Sequence, residues 1–177
     1  METFNLFVYG TLMRGFSPHQ RFIPQNCEMV KSQITGNLYH YPAGFPMVEL
    51  FDKDGVEGTY DYFSDLKKQN DLNKTTEIKE LPFDLEYGKV YGELYRIPFS
   101  EENIFRLDSY EGFNPENVTY YKRTLVPVHI DKEFVWAWVY NVKEIPKNCI
   151  RIYSGDWRDC FLNNTLTLRP EIKVKQY

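Results

Sequence analysis

The sequence predicts an α+β domain dominated by strands, and three observations carry that reading. Aromatic residues make up 17% of 177, with 14 Tyr and 13 Phe, yet mean hydropathy is only −0.52. That balance suits half-buried strands in a globular protein rather than a disordered chain. Apolar segments at 4–9, 34–39 and 90–95 end at or contain a glycine, and Ser17 and Ser100 stand where helices begin. At this length one domain, 1–177, with a sizeable core is expected.

Residues 4–9 are apolar on both faces apart from Asn5, which reads as a buried strand ended by Gly10. Ser17-Pro18-His19-Gln20 has a serine to cap a helix, proline at its first position and glutamine at the capping-box position, predicting a short helix to about Ile23. Ile34-Thr35-Gly36-Asn37-Leu38-Tyr39 and Val90-Tyr91-Gly92-Glu93-Leu94-Tyr95 echo each other as strands with a glycine where another group comes close. Val56-Glu57-Gly58-Thr59-Tyr60 is a weaker echo, read as coincidental. Residues 52–88 are polar without sustained periodicity and read as a surface insertion, with a short helix near 63–70.

Ser100-Glu101-Glu102 opens the next helix, with two acids at its positive end, and Gly112 is placed to close it. Ile104, Leu107 and Glu111 share one face of that helix. Residues 124–130 and 134–142 read as strands joined by a turn at Asp131-Lys132-Glu133. The second is apolar on both faces, so it is expected to be central or to line a barrel. A connection over 145–152 follows, and Ser154-Gly155-Asp156-Trp157-Arg158 leads into a last short helix carrying Cys160 and Phe161.

Net charge is −4 and the pI about 5.5, with no Lys or Arg run to track a phosphate backbone, so nucleic acid is not an expected partner. No segment reaches the length of a membrane span, so no membrane association is expected either. Cys27, Cys149 and Cys160 are odd in number and lack CxxC spacing, which indicates neither a disulfide framework nor a zinc site. A reducing, cytoplasmic setting is therefore expected. His19, His40 and His129 show no ligand spacing. The residues carry no reading of oligomeric state.

Two places carry chemistry. Glycine after a strand lets the following N–H groups converge, so Tyr9-Gly10-Thr11-Leu12 reads as a nest for a carboxylate or oxyanion, or as an ordinary tight turn. Glu111 lies on an apolar stripe at the negative end of a helix. Both features disfavour its anion and raise its proton affinity toward the range of a group that exchanges protons near neutrality. The alternative places it past the helix end, in solvent. Asp108 is the competing acid on the same face. Tyr120, Tyr121 and Tyr140 are candidate donors to a ligand or core residues, and Arg123 suggests a buried pair with a carboxylate.

Taken in order, these segments resemble the gamma-glutamylcyclotransferase-like superfamily. The likeness runs through Val8-Tyr9-Gly10-Thr11-Leu12 with Gly15, Gly36-x-Leu38-Tyr39, Tyr41-Pro42 and Val90-x-Gly92-Glu93-x-Tyr95. It continues in Leu107-Asp108-x-Tyr110-Glu111-Gly112, Tyr121-x-Arg123, Ala137-x-Val139-Tyr140 and Ser154-Gly155-Asp156-Trp157. The resemblance implies a small closed mixed β-barrel with surrounding helices. It also implies release of 5-oxoproline from a small-molecule gamma-glutamyl substrate by intramolecular aminolysis. In that reading Glu111 is the general acid/base, the backbone of Tyr9, Gly10, Thr11 and Leu12 holds the gamma-glutamyl group, and Tyr121 and Tyr140 complete the substrate site. No metal or organic cofactor is implied. The stretch 52–88 departs from the compact pattern and would bear on the leaving group. Two other classes compete: a catalytically silent binder on the same fold, and a barrel that stacks single-stranded nucleic acid on its aromatics.

Overall fold

The computed structural model describes residues 2–50, 55–75, 88–117 and 121–163. Five strands close into a barrel: β1 (Thr3–Val8), β2 (Glu28–Thr35), β6 (Lys89–Pro98), β7 (Lys122–Ile130) and β8 (Glu133–Asn141), in the order β2-β6-β1-β8-β7. Pairing of Gln33 with His129 joins β7 back to β2. The barrel is mixed because β1 and β8 run parallel, at Leu6–Trp138 and Phe7–Val139, while its other pairs are antiparallel. β8 lies between β1 and β7, which explains its apolar character on both faces. Its Trp138 stacks on Phe4 inside the barrel, ring centroids 5.9 Å apart.

A short strand, β5 (Val56–Glu57), extends the sheet beyond β7, and a second sheet holds β3 (Asn37–Tyr41), β4 (Phe45–Glu49) and β9 (Ile150–Arg151). The echo glycines behave as expected: a side chain on Gly92 would lie 2.2 Å from the Val8 carbonyl, and one on Gly36 2.9 Å from the Glu49 carbonyl. The weaker echo is not coincidental. Gly58 donates to the Arg123 carbonyl at 2.6 Å, and a Cβ there would strike the Arg123 side chain at 2.9 Å.

Helices α1 (Ser17–Phe22), α2 (Tyr62–Thr75), α3 (Glu101–Glu111) and α4 (Trp157–Asn163) pack around the barrel. α1 begins one residue earlier than expected: Phe16 is the N-cap and no side chain caps it, so Ser17 lies inside the helix.

The larger correction concerns 52–88. Residues 51–54 and 76–87 lie outside the described residues, but 62–75 form a helix that belongs to the core. On the N-terminal side of Leu6 and Trp138 the parallel strands β1 and β8 separate, leaving backbone groups without ladder partners. Side-chain amides of α2 fill the gap. Gln69 accepts from the Asn5 N–H at 2.8 Å and donates to the Thr3 carbonyl at 3.0 Å. Asn73 donates to the Trp136 carbonyl at 3.1 Å and accepts its N–H at 2.9 Å. The bond to the Asn5 N–H is buried and satisfies a strand group that burial would otherwise penalise, while the two to Trp136 lie at the exposed rim. The helix is polar on its inner face because the barrel end it covers is polar.

Candidate active site

At the other end of the parallel pair, β1 runs out at Val8 and the chain turns through residues 9–12. Gly10 is required by close approach: a Cβ there would lie 2.5 Å from Cγ of the buried Pro46 in β4. Met13 N–H closes the turn on the Gly10 carbonyl at 2.9 Å. The N–H groups of Gly10, Thr11 and Leu12 have no protein acceptor among the described residues. All three residues line a cavity of about 380 Å³, together with Tyr9, Phe45, Pro46, Tyr110, Glu111, Tyr121 and Tyr140.

α3 delivers Glu111 to this cavity. Ser100 Oγ accepts the Asn103 N–H at 3.1 Å, Ile104 and Leu107 are fully buried, and Gly112 adopts a left-handed conformation (φ 67°). Only glycine takes that conformation without strain, and it ends the helix at Glu111. The Glu111 side chain is therefore held at a helix end facing the cavity, half-buried rather than free in solvent. Its carboxyl has no hydrogen-bond partner among the described residues. Burial, and then the negative charge of Asp108 one turn back, push its pKa up to about 8.

Tyr9, Tyr121 and Tyr140 all line the cavity, but their hydroxyl protons are already committed. Tyr9 donates to the Tyr140 carbonyl at 2.7 Å, Tyr121 to the Pro46 carbonyl at 3.1 Å and Tyr140 to Asp108 Oδ1 at 2.6 Å. They shape the cavity wall and leave their oxygens to accept. Tyr110 was not singled out by sequence reasoning, although it adjoins Glu111. Its hydroxyl shares a 2.8 Å hydrogen bond with Thr11 Oγ1, tying the turn to α3. Burial raises the pKa of Tyr9, Tyr110, Tyr121 and Tyr140, so these phenols stay neutral. Tyr120 lies outside the described residues.

Behind Glu111 sits a buried ion cluster. Arg123 of β7, wholly buried, donates to Asp108 Oδ1, to Asp65 Oδ2 at 2.8 Å and to the Thr59 carbonyl at 2.9 Å. The expected arginine–carboxylate pair is thus a triad, and its second acid comes from α2. Burial alone would disfavour the cation, but the carboxylates of Asp108 and Asp65 push the Arg123 pKa upward. Asp108 is pushed up by burial and drawn back by Arg123 and Tyr140. It serves the triad, which leaves Glu111 as the acid presented to the cavity.

Among the described residues no three His, Cys, Asp or Glu side chains gather to hold a metal, the three cysteines are unpaired, and no helix is long and apolar enough to cross a membrane.

The family described as "Gamma-glutamyl cyclotransferase, AIG2-like" matches residues 6–79 and 68–159, a span holding the turn, Glu111 and the triad. The chain belongs to that family. Its two matched stretches share residues 68–79, in the second half of α2 and just beyond. Among solved structures this cyclotransferase-family chain is similar to YkqA of Bacillus subtilis, with TM-score 0.54 and 23% identity over 92% of this chain. The chain spans 42% of the length of that protein. It is also similar to an AIG2-like protein (a2ld1, ggact) of Mus musculus, with TM-score 0.50 and 18% identity over 83% of this chain and 82% of the other. At these identities the likeness is one of fold. No curated protein matches the chain in sequence.

Proposed function

We propose that the protein releases 5-oxoproline from a gamma-glutamyl amine or peptide by intramolecular aminolysis, with Glu111 as general acid/base. The observation that carries this reading is the meeting, in one cavity, of a carboxyl raised to about 8 with three backbone N–H groups, neither having a partner among the described residues. Family membership points the same way.

In this mechanism the N–H groups of Gly10, Thr11 and Leu12 bind the anionic end of the substrate and hold the chain folded. The substrate α-nitrogen attacks its own γ-carbonyl, so a C–N bond forms and closes a five-membered ring. Proximity supplies much of the rate, because both reacting atoms are in one molecule. Glu111 takes the proton released from the attacking nitrogen and passes it to the departing nitrogen as the old C–N bond breaks. The free carboxylate is regenerated, and neither oxidant nor reductant is consumed. The neutral tyrosine wall lowers the local dielectric around the charges that develop. Unpaired cysteines accord with a reducing, cytoplasmic setting.

The test is 5-oxoproline release from a panel of gamma-glutamyl amino acids, peptides and amines, with wild type and Glu111→Gln. Turnover by wild type alone supports the reaction and names the leaving group. Binding of gamma-glutamyl compounds without turnover by the folded wild type would replace it with a silent binder.

A further inference from the structure

The helix α2 was expected to lie outside the fold, yet it supplies Asp65, a fully buried carboxylate that shares Arg123 with Asp108. Counting the buried groups alone, two acids on one guanidinium leave one formal negative charge in excess; the further cation in reach of Asp65, Lys68, is exposed. Asp65 is held by more than the ion pair. Its Oδ2 accepts the Thr59 N–H at 2.7 Å and its Oδ1 the Thr59 hydroxyl at 3.3 Å, while Lys68, on the exposed side, reaches Oδ1 only at 3.5 Å.

We propose that Asp65 is a positioning residue of this site: through the shared guanidinium of Arg123 it sets how much uncompensated negative charge Asp108 presents to Glu111. The inference rests on Glu111 being the proton-carrying group of the proposed reaction. The groups facing Glu111 are Asp108 and Tyr110 from α3, Tyr9 following β1, Tyr121 preceding β7 and Tyr140 from β8. The four phenols are neutral throughout the working range. Tyr62 of α2, beside Asp108, is also held neutral by burial. Among the described residues, the buried charges linked to Glu111 through this cluster are therefore those of Asp108, Arg123 and Asp65. Of these, Asp108 and Arg123 adjoin the catalytic helix and the Tyr140 wall. Asp65 comes from α2, which supplies no residue to the cavity lining, so the charge of the site is tuned from an element outside the cavity.

The sign follows directly. Removing the Asp65 charge lets Arg123 neutralise Asp108 fully, so ionised Glu111 meets less repulsion and gives up its proton at lower pH. The experiment is a carbon-13 NMR titration of the Glu111 side-chain carboxyl in the full chain, its signal assigned by its loss in Glu111→Gln. The pH profile of kcat/KM for 5-oxoproline release is measured on the same samples. Asp65→Asn is expected to lower the Glu111 midpoint by about 0.5–1 pH unit. Asp65→Glu, which keeps the charge, is expected to leave it in place whatever it does to stability. Equal effects of Asn and Glu on the midpoint, or no shift in Asp65→Asn, would overturn the proposal and leave Asp65 a structural acid. Should Asp65→Asn fail to fold, the exposed substitution Lys68→Glu is read instead: an upward shift supports the proposal and an unmoved midpoint overturns it. The titration needs no turnover, so an NMR shift without catalysis would reject the enzyme reading while leaving the charge coupling intact.

Discussion

Asp108 and Glu111 are carboxylates three residues apart on one helix, and their surroundings differ in nearly every respect. Asp108 faces Arg123 and the Tyr140 hydroxyl inside the barrel wall. Glu111 faces a cavity and has no protein partner among the described residues. A paired acid spends its charge on holding structure; an unpaired acid at a half-buried position keeps it for a ligand and sits near neutral pH. The lesson is that the acid proposed to act is the one the fold leaves without a protein partner among the described residues.

Breaking the structural side gives the largest effect. Arg123→Gln leaves Asp65 and Asp108 buried against each other without a cation, and unfolding free energy is expected to fall by about 3–5 kcal/mol, measured by urea denaturation. An unchanged midpoint would mean that the triad is solvated.

The opposite side responds in the opposite sense. Folded Glu111 binds its proton more tightly than unfolded Glu111, whose value is near 4.5, so folding takes up a proton between that value and about 8. Wild-type stability therefore declines as pH rises through this window, with the full penalty above about pH 8. Glu111→Gln escapes it. The variant is expected to match wild type at pH 4 and to exceed it at pH 9 by on the order of 1–3 kcal/mol, as read by thermal melts at the two pH values. Parallel stability curves would mean that Glu111 is solvated.

Within the cavity, Gly10→Ala tests the turn. The added methyl must push residues 9–12 away from Pro46, so KM is expected to rise about tenfold or more with little change in kcat. The smallest effect is that of Thr11→Val, which removes the hydrogen bond to Tyr110. A loss of about 0.5–1.5 kcal/mol in stability is expected, with KM rising only a few-fold.

Much of this was legible in the chain. The caps of α3, the left-handed Gly112 and the apolar positions Ile104 and Leu107 place Glu111 at a helix end, and each is a local signal that tertiary packing reinforces. The doubly apolar β8 told of a central strand for the same reason. Polar interiors were not legible. The buried face of α2 is Tyr62, Asp65, Leu66 and Gln69, with Leu72 half-buried against the core; it has helical spacing but too few apolar residues to register as amphipathic. Its partners, the splayed ends of β1 and β8 and the Arg123 guanidinium, are distant in sequence, so nothing local announced the need for amides and an acid. The commitment of the tyrosine hydroxyls escaped notice for a like reason. Tyr9 and Tyr121 donate to carbonyls that sequence cannot rank above a ligand.

The central claim is that Glu111 carries the proton of the proposed reaction. It is tested most directly by the initial rate of 5-oxoproline release from a turned-over gamma-glutamyl compound, for wild type and Glu111→Gln, from pH 5 to 10. The account predicts a wild-type kcat/KM that rises with pH through a midpoint near 8, as the base form appears. It predicts that the folded variant loses about 10²–10⁴-fold in rate and that this limb disappears. A folded Glu111→Gln that releases 5-oxoproline at the wild-type rate, with the same limb, would contradict it.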